Sequence, residues 1–190
     1  MKTSRMLWVV GLLLFLATAL NYADRLVLSI VSVDIRKEFH LSPQDYSEVV
    51  ALFLLAYAIM YAGSGWIIDR LGTKLGFAVF ILAWSISQAL HAFAGGKWSL
   101  AVYRFGLGLS EPGNWPAAAK AVQEWFPPAH RALGIGVFNA GSSAGSAIAG
   151  LLQLKDRFKE GETVVVIFHD HGTRYLGKMF NPDWMGAMGY

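Results

Sequence analysis

Two long apolar runs joined by six polar residues fix most of what this chain can fold into. Residues 47–68 and 75–94 are almost uninterrupted hydrophobic sequence, and only Asp69-Arg70-Leu71-Gly72-Thr73-Lys74 lies between them. A run of about twenty apolar residues matches the hydrocarbon thickness of a bilayer. Backbone polar groups in lipid must be satisfied within their own segment, so such runs fold as helices. A turn this short makes the two helices antiparallel neighbours.

The same pattern recurs along the chain and predicts an all-α membrane protein with about five transmembrane helices. The expected spans are 7–33, 47–68, 75–94, 98–119 and 132–152, with a tail at 153–190 that is no independent domain. Composition agrees, because 55% of the 190 residues are hydrophobic and only 15% are charged. Cysteine is absent, which removes disulfides and thiolate metal sites. No basic cluster interleaved with aromatics supports nucleic-acid binding. As one helix, 7–33 would be roughly 40 Å long and would carry Asn21-Tyr22-Ala23-Asp24-Arg25 inside or near the membrane. A cleaved signal peptide is the competing reading of this start, since Ala17-Thr18-Ala19 has the form of a cleavage site. Residues 34–48 read as a polar connection, with Pro43 closing off the first helix. Lysine and arginine then set the orientation. With the N-terminus inside, Lys2, Arg5, Arg70, Lys74, Lys120 and Arg131 are inner and Arg36, Lys37 and Lys97 are outer. That asymmetry predicts a cytoplasmic N-terminus and an external tail.

The fourth span carries charge. Arg104 and Glu111 lie seven residues apart in an otherwise apolar, small-residue run, so a continuous helix puts them on one face. Ionisable groups at membrane depth usually face a polar interior or a cavity; alternatively the two simply pair with each other. Pro112 and Pro116 break the local hydrogen-bond ladder. Gly106, Gly108 and Gly113 allow another helix to come close, as does the row Gly141, Gly145 and Ala149 in the fifth span. Tyr57 and Tyr61 share one face of the second.

The tail differs. Residues 154–162 are charged and helix-like, and 163–168 (TVVVIF) read as a strand, giving a short soluble-like α/β segment. His169 and His171 fall in one turn and read as turn residues rather than metal ligands.

Gly65-Trp-Ile-Ile-Asp69-Arg70-Leu71-Gly72-Thr73-Lys74 has the form GxxxDRxGx[RK]. It resembles the signature loop between the second and third helices of the major facilitator superfamily. A carboxylate beside a guanidinium and a lysine forms a clamp that can break when helices move, so Gly65, Asp69, Arg70, Gly72 and Lys74 are read as a conformational loop. Asn21-Tyr22-Ala23-Asp24-Arg25 looks like the corresponding segment of the anion:cation symporter family. The stretch from Arg104 to Pro128, with Phe138-Asn139-Ala140-Gly141-Ser142-Ser143-Ala144-Gly145, is similar to its hexuronate-transporter branch. The tail resembles the end of a pyridoxal-phosphate enzyme of the cystathionine β-synthase or cysteine synthase kind, carried by 164–178 and 181–185. Nothing upstream supplies that enzyme's cofactor lysine or phosphate loop, so the chain reads as a chimera.

The resemblance implies a proton-coupled symporter of organic anions, above all glucuronate and galacturonate, in the cell's inner membrane, with no enzyme activity and no cofactor. It implies Asp24 and Glu111 as proton-coupling residues and Arg25 as the anion-binding group, with Tyr22, Tyr57, Asn139 and Ser142 lining the cavity. Plain helix packing is the competing reading for the tyrosines, and an interhelical hydrogen bond for Asn139 and Ser142. The chemistry agrees, because arginine is a planar bidentate partner for a carboxylate. The resemblance also implies twelve helices in two halves, so the chain reads as a truncated N-terminal half. Expected partners are a small anionic sugar acid, protons, the lipid bilayer and a second chain completing the bundle. A membrane fragment with no transport of its own is the second functional reading.

Overall fold

A computed structural model describes residues 4–159 and 162–165. They form a bundle of helices, and no strand occurs among them. Helix α1 runs from Ser4 to Ile30, about 41 Å at the standard rise. It stops three residues short of Val33, and a separate short helix α2, Ser32–Glu38, occupies part of the expected polar connection. Helix α3 is Pro43–Leu71. Pro43 does not close the first helix; it starts the second long one. The missing N–H of proline costs nothing at a helix start, where that donor would be unpaired anyway. Ser42 caps the end reciprocally with Asp45: the Asp45 N–H donates to Ser42 Oγ at 3.1 Å, and the Ser42 N–H to Asp45 Oδ2 at 3.0 Å.

Gly72, at φ +78°, ends α3 in the left-handed region where a side chain would be strained. Helix α4, Thr73–Leu90, follows at once and closes with one turn of 3-10 helix, His91–Phe93. Helix α5, Lys97–Ser110, opens the expected fourth span. A 3-10 turn, Glu111–Gly113, interrupts it, and helix α6, Asn114–Trp125, continues beyond. Pro112 and Pro116 cannot donate to the carbonyls four residues earlier, which is the physical reason for the break. Helix α7, Arg131–Leu154, completes the bundle.

Among the described residues, four helices are long and apolar enough to cross a membrane by length and composition: 5–30, 43–71, 73–93 and 128–154. Their outward faces are apolar, with Leu13, Leu20, Leu54, Ile59, Leu82 and Ile86 all more than half exposed. These surfaces mark an integral membrane protein. The interior is a column of small clusters, from Leu14, Val122, Phe126 and Phe138 at one end to Leu28, Val49 and Leu100 at the other.

Close crossings set the architecture. Helix α1 packs chiefly against α7, and α3 against α5. A Cβ at Gly141 would overlap the Phe15 carbonyl, and one at Gly145 the Ala19 carbonyl. A Cβ at Gly108 would stand 2.5 Å from the Phe53 carbonyl. At the break, the Phe80 ring occupies the place a Gly113 side chain would take.

The tail offers little. Thr163, Val164 and Val165 have no regular secondary structure, so the expected strand is absent there. Residues 166–190, which hold the rest of that strand, His169, His171 and the enzyme-like segment, lie outside the described residues.

Candidate functional site in the bundle interior

The centre of the site is an ion pair that sequence spacing does not reveal. Glu111 is fully buried, and its Oε2 accepts a hydrogen bond at 3.0 Å from Nε of Arg25 on α1. Arg104 does not pair with Glu111. Glu111 sits where α5 gives way to the 3-10 turn, and its carboxylate meets α1. Arg104 is 4% exposed, with its guanidinium carbon 4.6 Å from the Phe53 ring centroid. It lines a recess of about 260 Å³ that includes Gln88, His91, Leu28 and Leu100 and does not reach the Arg25–Glu111 pair.

The Arg25 guanidinium lies 5.0 Å from the Tyr22 ring centroid and 4.5 Å from that of Tyr57. Two rings from different helices thus hold a cation whose exposure is only 24%. Its Nη2 is buried and has no hydrogen-bond partner among the described residues, and Glu111 Oε1 is likewise open. A guanidinium binds a carboxylate best through two parallel bonds. Glu111 uses one donor and leaves another facing the interior. Asp24 is half-buried on the same helix, within electrostatic reach of Glu111.

Three residues that the sequence reading did not assign complete this centre. Thr18, Asn21 and Asn114 are all fully buried. Asn21 Nδ2 donates to the Glu111 backbone carbonyl at 3.4 Å, and Asn114 Nδ2 to Thr18 Oγ1 at 3.2 Å. The signal was present in the spacing, because Thr18, Asn21 and Arg25 recur at helical intervals on one face of α1. Trp115 contributes a ring edge-on to Tyr22 at 6.5 Å and to Phe138 at 5.2 Å.

Asn139 and Ser142 are not drawn into the pair. The Ser142 hydroxyl donates to the Asn139 backbone carbonyl in its own helix at 2.7 Å. Asn139 is half-buried with Oδ1 unpartnered among the described residues.

The loop expected to move has a different clamp from the one its sequence suggests. Asp69 pairs with Lys120 of α6 at 2.7 Å, while Arg70 lies against the Trp66 ring at 4.3 Å and Lys74 is exposed. Beside it Thr73 Oγ1 donates to Glu124 Oε1 at 2.7 Å. Gly65 is half-buried on α3 with open space around it. At the opposite end of α3, Lys97 bridges Asp45 and Glu48, the latter at 2.7 Å.

The sequence profile of the Major Facilitator Superfamily matches residues 14–154. The chain belongs to that superfamily. It is 36% identical over 148 residues to the hexuronate transporter of Escherichia coli (strain K12), a match covering 78% of this chain and 34% of that protein. It is 35% identical to the galacturonate transporter of Dickeya chrysanthemi, covering 78% of this chain and 43% of that protein. Among solved structures, a bacterial homologue of the human lysosomal transporter Spinster, crystallised inward-facing and unoccupied, aligns with a TM-score of 0.71 and 27% identity over 80% of this chain and 32% of that one. The chain therefore spans about a third to just over two fifths of the length of these relatives. Both curated relatives are transporters. The matched segment ends at residue 154, so the enzyme-like resemblance of the tail gains no support from it.

Proposed function

We propose that this chain forms the N-terminal part of a proton-coupled symporter for hexuronates. The carrying observation is the Arg25 guanidinium: gripped by two tyrosine rings, tied once to Glu111, with a buried donor left over. A sugar-acid carboxylate docking there completes the fork and competes with Glu111 for the cation. Glu111, displaced from its partner in a dry interior, is then favoured to take a proton, because burying an unpaired carboxylate is costly. Anion arrival and proton uptake are coupled through one guanidinium. Asp24 serves as the second proton-carrying carboxylate. The hydroxyls of the sugar need polar partners, and Asn139 with its open Oδ1 fits that role better than Ser142, whose hydroxyl is engaged in its own helix.

In this reading α1, α3, α4, the broken α5–α6 and α7 are five spans in a cytoplasmic or inner membrane, with the N-terminus inside. Gly65, Asp69, Arg70, Gly72 and Lys74 form the conformational loop. A second helical bundle supplies the other wall of the site, since sites in such transporters lie between repeats. The test joins residues 1–154 to the remaining two thirds of the Escherichia coli hexuronate transporter and follows labelled glucuronate uptake in cells. Uptake that rises with an inward proton gradient supports the reading. A well-inserted hybrid that takes up no sugar acid overturns it.

A further inference from the structure

Helix α1 meets the broken span through a ladder of three rungs. Thr18 Oγ1 bonds Asn114 Nδ2, Asn21 Nδ2 bonds the Glu111 carbonyl, and Arg25 Nε bonds the Glu111 carboxylate. Two rungs are neutral and fully buried; the third is ionic. The amide of Asn21 is oriented by the carbonyl it meets, because the reversed amide would set two oxygens against each other.

The turn on the far side of this ladder lacks the full backbone hydrogen-bond ladder of a regular helix. Pro112 and Pro116 remove backbone donors, and Gly113 has no side chain to pack. The ionic rung holds only while Glu111 is ionised and Arg25 is free of other carboxylates. The neutral rungs contain no titratable group and persist in either state. The charged and titratable groups around Glu111 are Arg25 and Asp24 from α1, Arg104 from α5 and Tyr57 from α3.

We propose that Asn21, supported by the Thr18–Asn114 pair, is a positioning residue for the coupling site. It keeps the Glu111–Gly113 turn in register with α1 while the ionic rung is open, so that the Arg25–Glu111 pair re-forms when anion and proton leave. Without it the turn drifts, the pair is occupied less of the time, and anion and proton movements lose their link. This rests on the reading of Arg25 and Glu111 as the carboxylate and proton sites.

The test uses the 190-residue chain in phospholipid nanodiscs with nitrogen-15 arginine. Hydrogen exchange at the Arg25 Nε–H, assigned by its loss in Arg25→Lys, reports the ionic rung directly. The wild-type proton is expected to be protected at neutral pH and to exchange freely once Glu111 is protonated, and Glu111→Gln to exchange freely throughout. Asn21→Leu, similar in size without the amide, is expected to speed exchange at neutral pH by about fivefold, the weight of one neutral hydrogen bond. Amides in the middle of α3 should keep wild-type protection. Unchanged Arg25 exchange in Asn21→Leu overturns the proposal, and so does a parallel loss at α3, which would mark general loosening. Asn21→Ser gives the same readout should the leucine variant fail to fold. A wild-type proton indifferent to both pH and Glu111→Gln instead overturns the coupling reading beneath it.

Discussion

At the scale of single residues, the chemistry gathers on one guanidinium. Arg25 has a ring of α1 and a ring of α3 against it and a carboxylate at its Nε. Lysine would keep the charge but lose the planar fork. In the hybrid transporter, Arg25→Lys is therefore expected to lower sugar-acid uptake by about tenfold or more, the worth of a charge-assisted bond, while leaving membrane insertion intact. Uptake within a factor of two of the parent would remove Arg25 as the carboxylate clamp. The Asp69–Lys120 pair is of another kind. Asp69 is 72% exposed, so Lys120→Ala should change the thermal stability of the purified chain by less than about 1 kcal/mol.

At the scale of elements, the small residues decide which helices can touch. The carbonyl oxygens of α1 sit where side chains at Gly141 and Gly145 would be. Gly145→Val is expected to destabilise the bundle by about 1–3 kcal/mol through overpacking, read as a lower unfolding temperature in detergent. Gly150→Ala on the same helix, with open space around it, serves as the near-neutral comparison. This row was legible in the sequence because small residues four apart on an apolar helix have one common use. The proline break was legible for the same sort of reason, since a missing N–H is a property of the residue itself. The partner of Glu111 was not. Counting seven residues from Arg104 follows one helix and cannot show that an arginine of α1 reaches Glu111 from another. Nor could spacing along one helix show that Asn21 meets a carbonyl 90 positions away. Pro43 was misread because proline marks helix starts as well as ends, and only the Ser42–Asp45 cap distinguishes them.

At the scale of the whole molecule, two ends are defined by charge. The Asp69–Lys120 clamp and the Lys97–Asp45–Glu48 cluster lie towards opposite ends of α3, with Asp45 and Asp69 about 36 Å apart along its axis. With the N-terminus inside, the second cluster is external. The chain has no cysteine, so introduced thiols report cleanly. His40→Cys is expected to react with an impermeant reagent in intact cells and Lys74→Cys to react only after permeabilisation; the reverse pattern would invert the topology. The 190-residue chain alone is expected not to accumulate glucuronate in liposomes under a proton gradient, because alternating access requires a second bundle to rock against the first. Saturable accumulation would show that copies of this chain build both walls.

Arg104, buried against Phe53, has a consequence for voltage. Together Arg25, Arg104, Asp24 and Glu111 sum to zero formal charge when both acids are ionised. One monovalent sugar acid and one proton add minus one and plus one, so the loaded interior is neutral as well. A charge crossing the membrane costs or yields about 2.3 kcal/mol per 100 mV, whereas a neutral cluster crosses without electrical work. In the hybrid transporter, uptake at one proton per anion should follow the pH gradient and ignore an imposed potassium diffusion potential. A second proton, taken by Asp24, would make each turnover carry one positive charge inward and let the membrane potential drive accumulation.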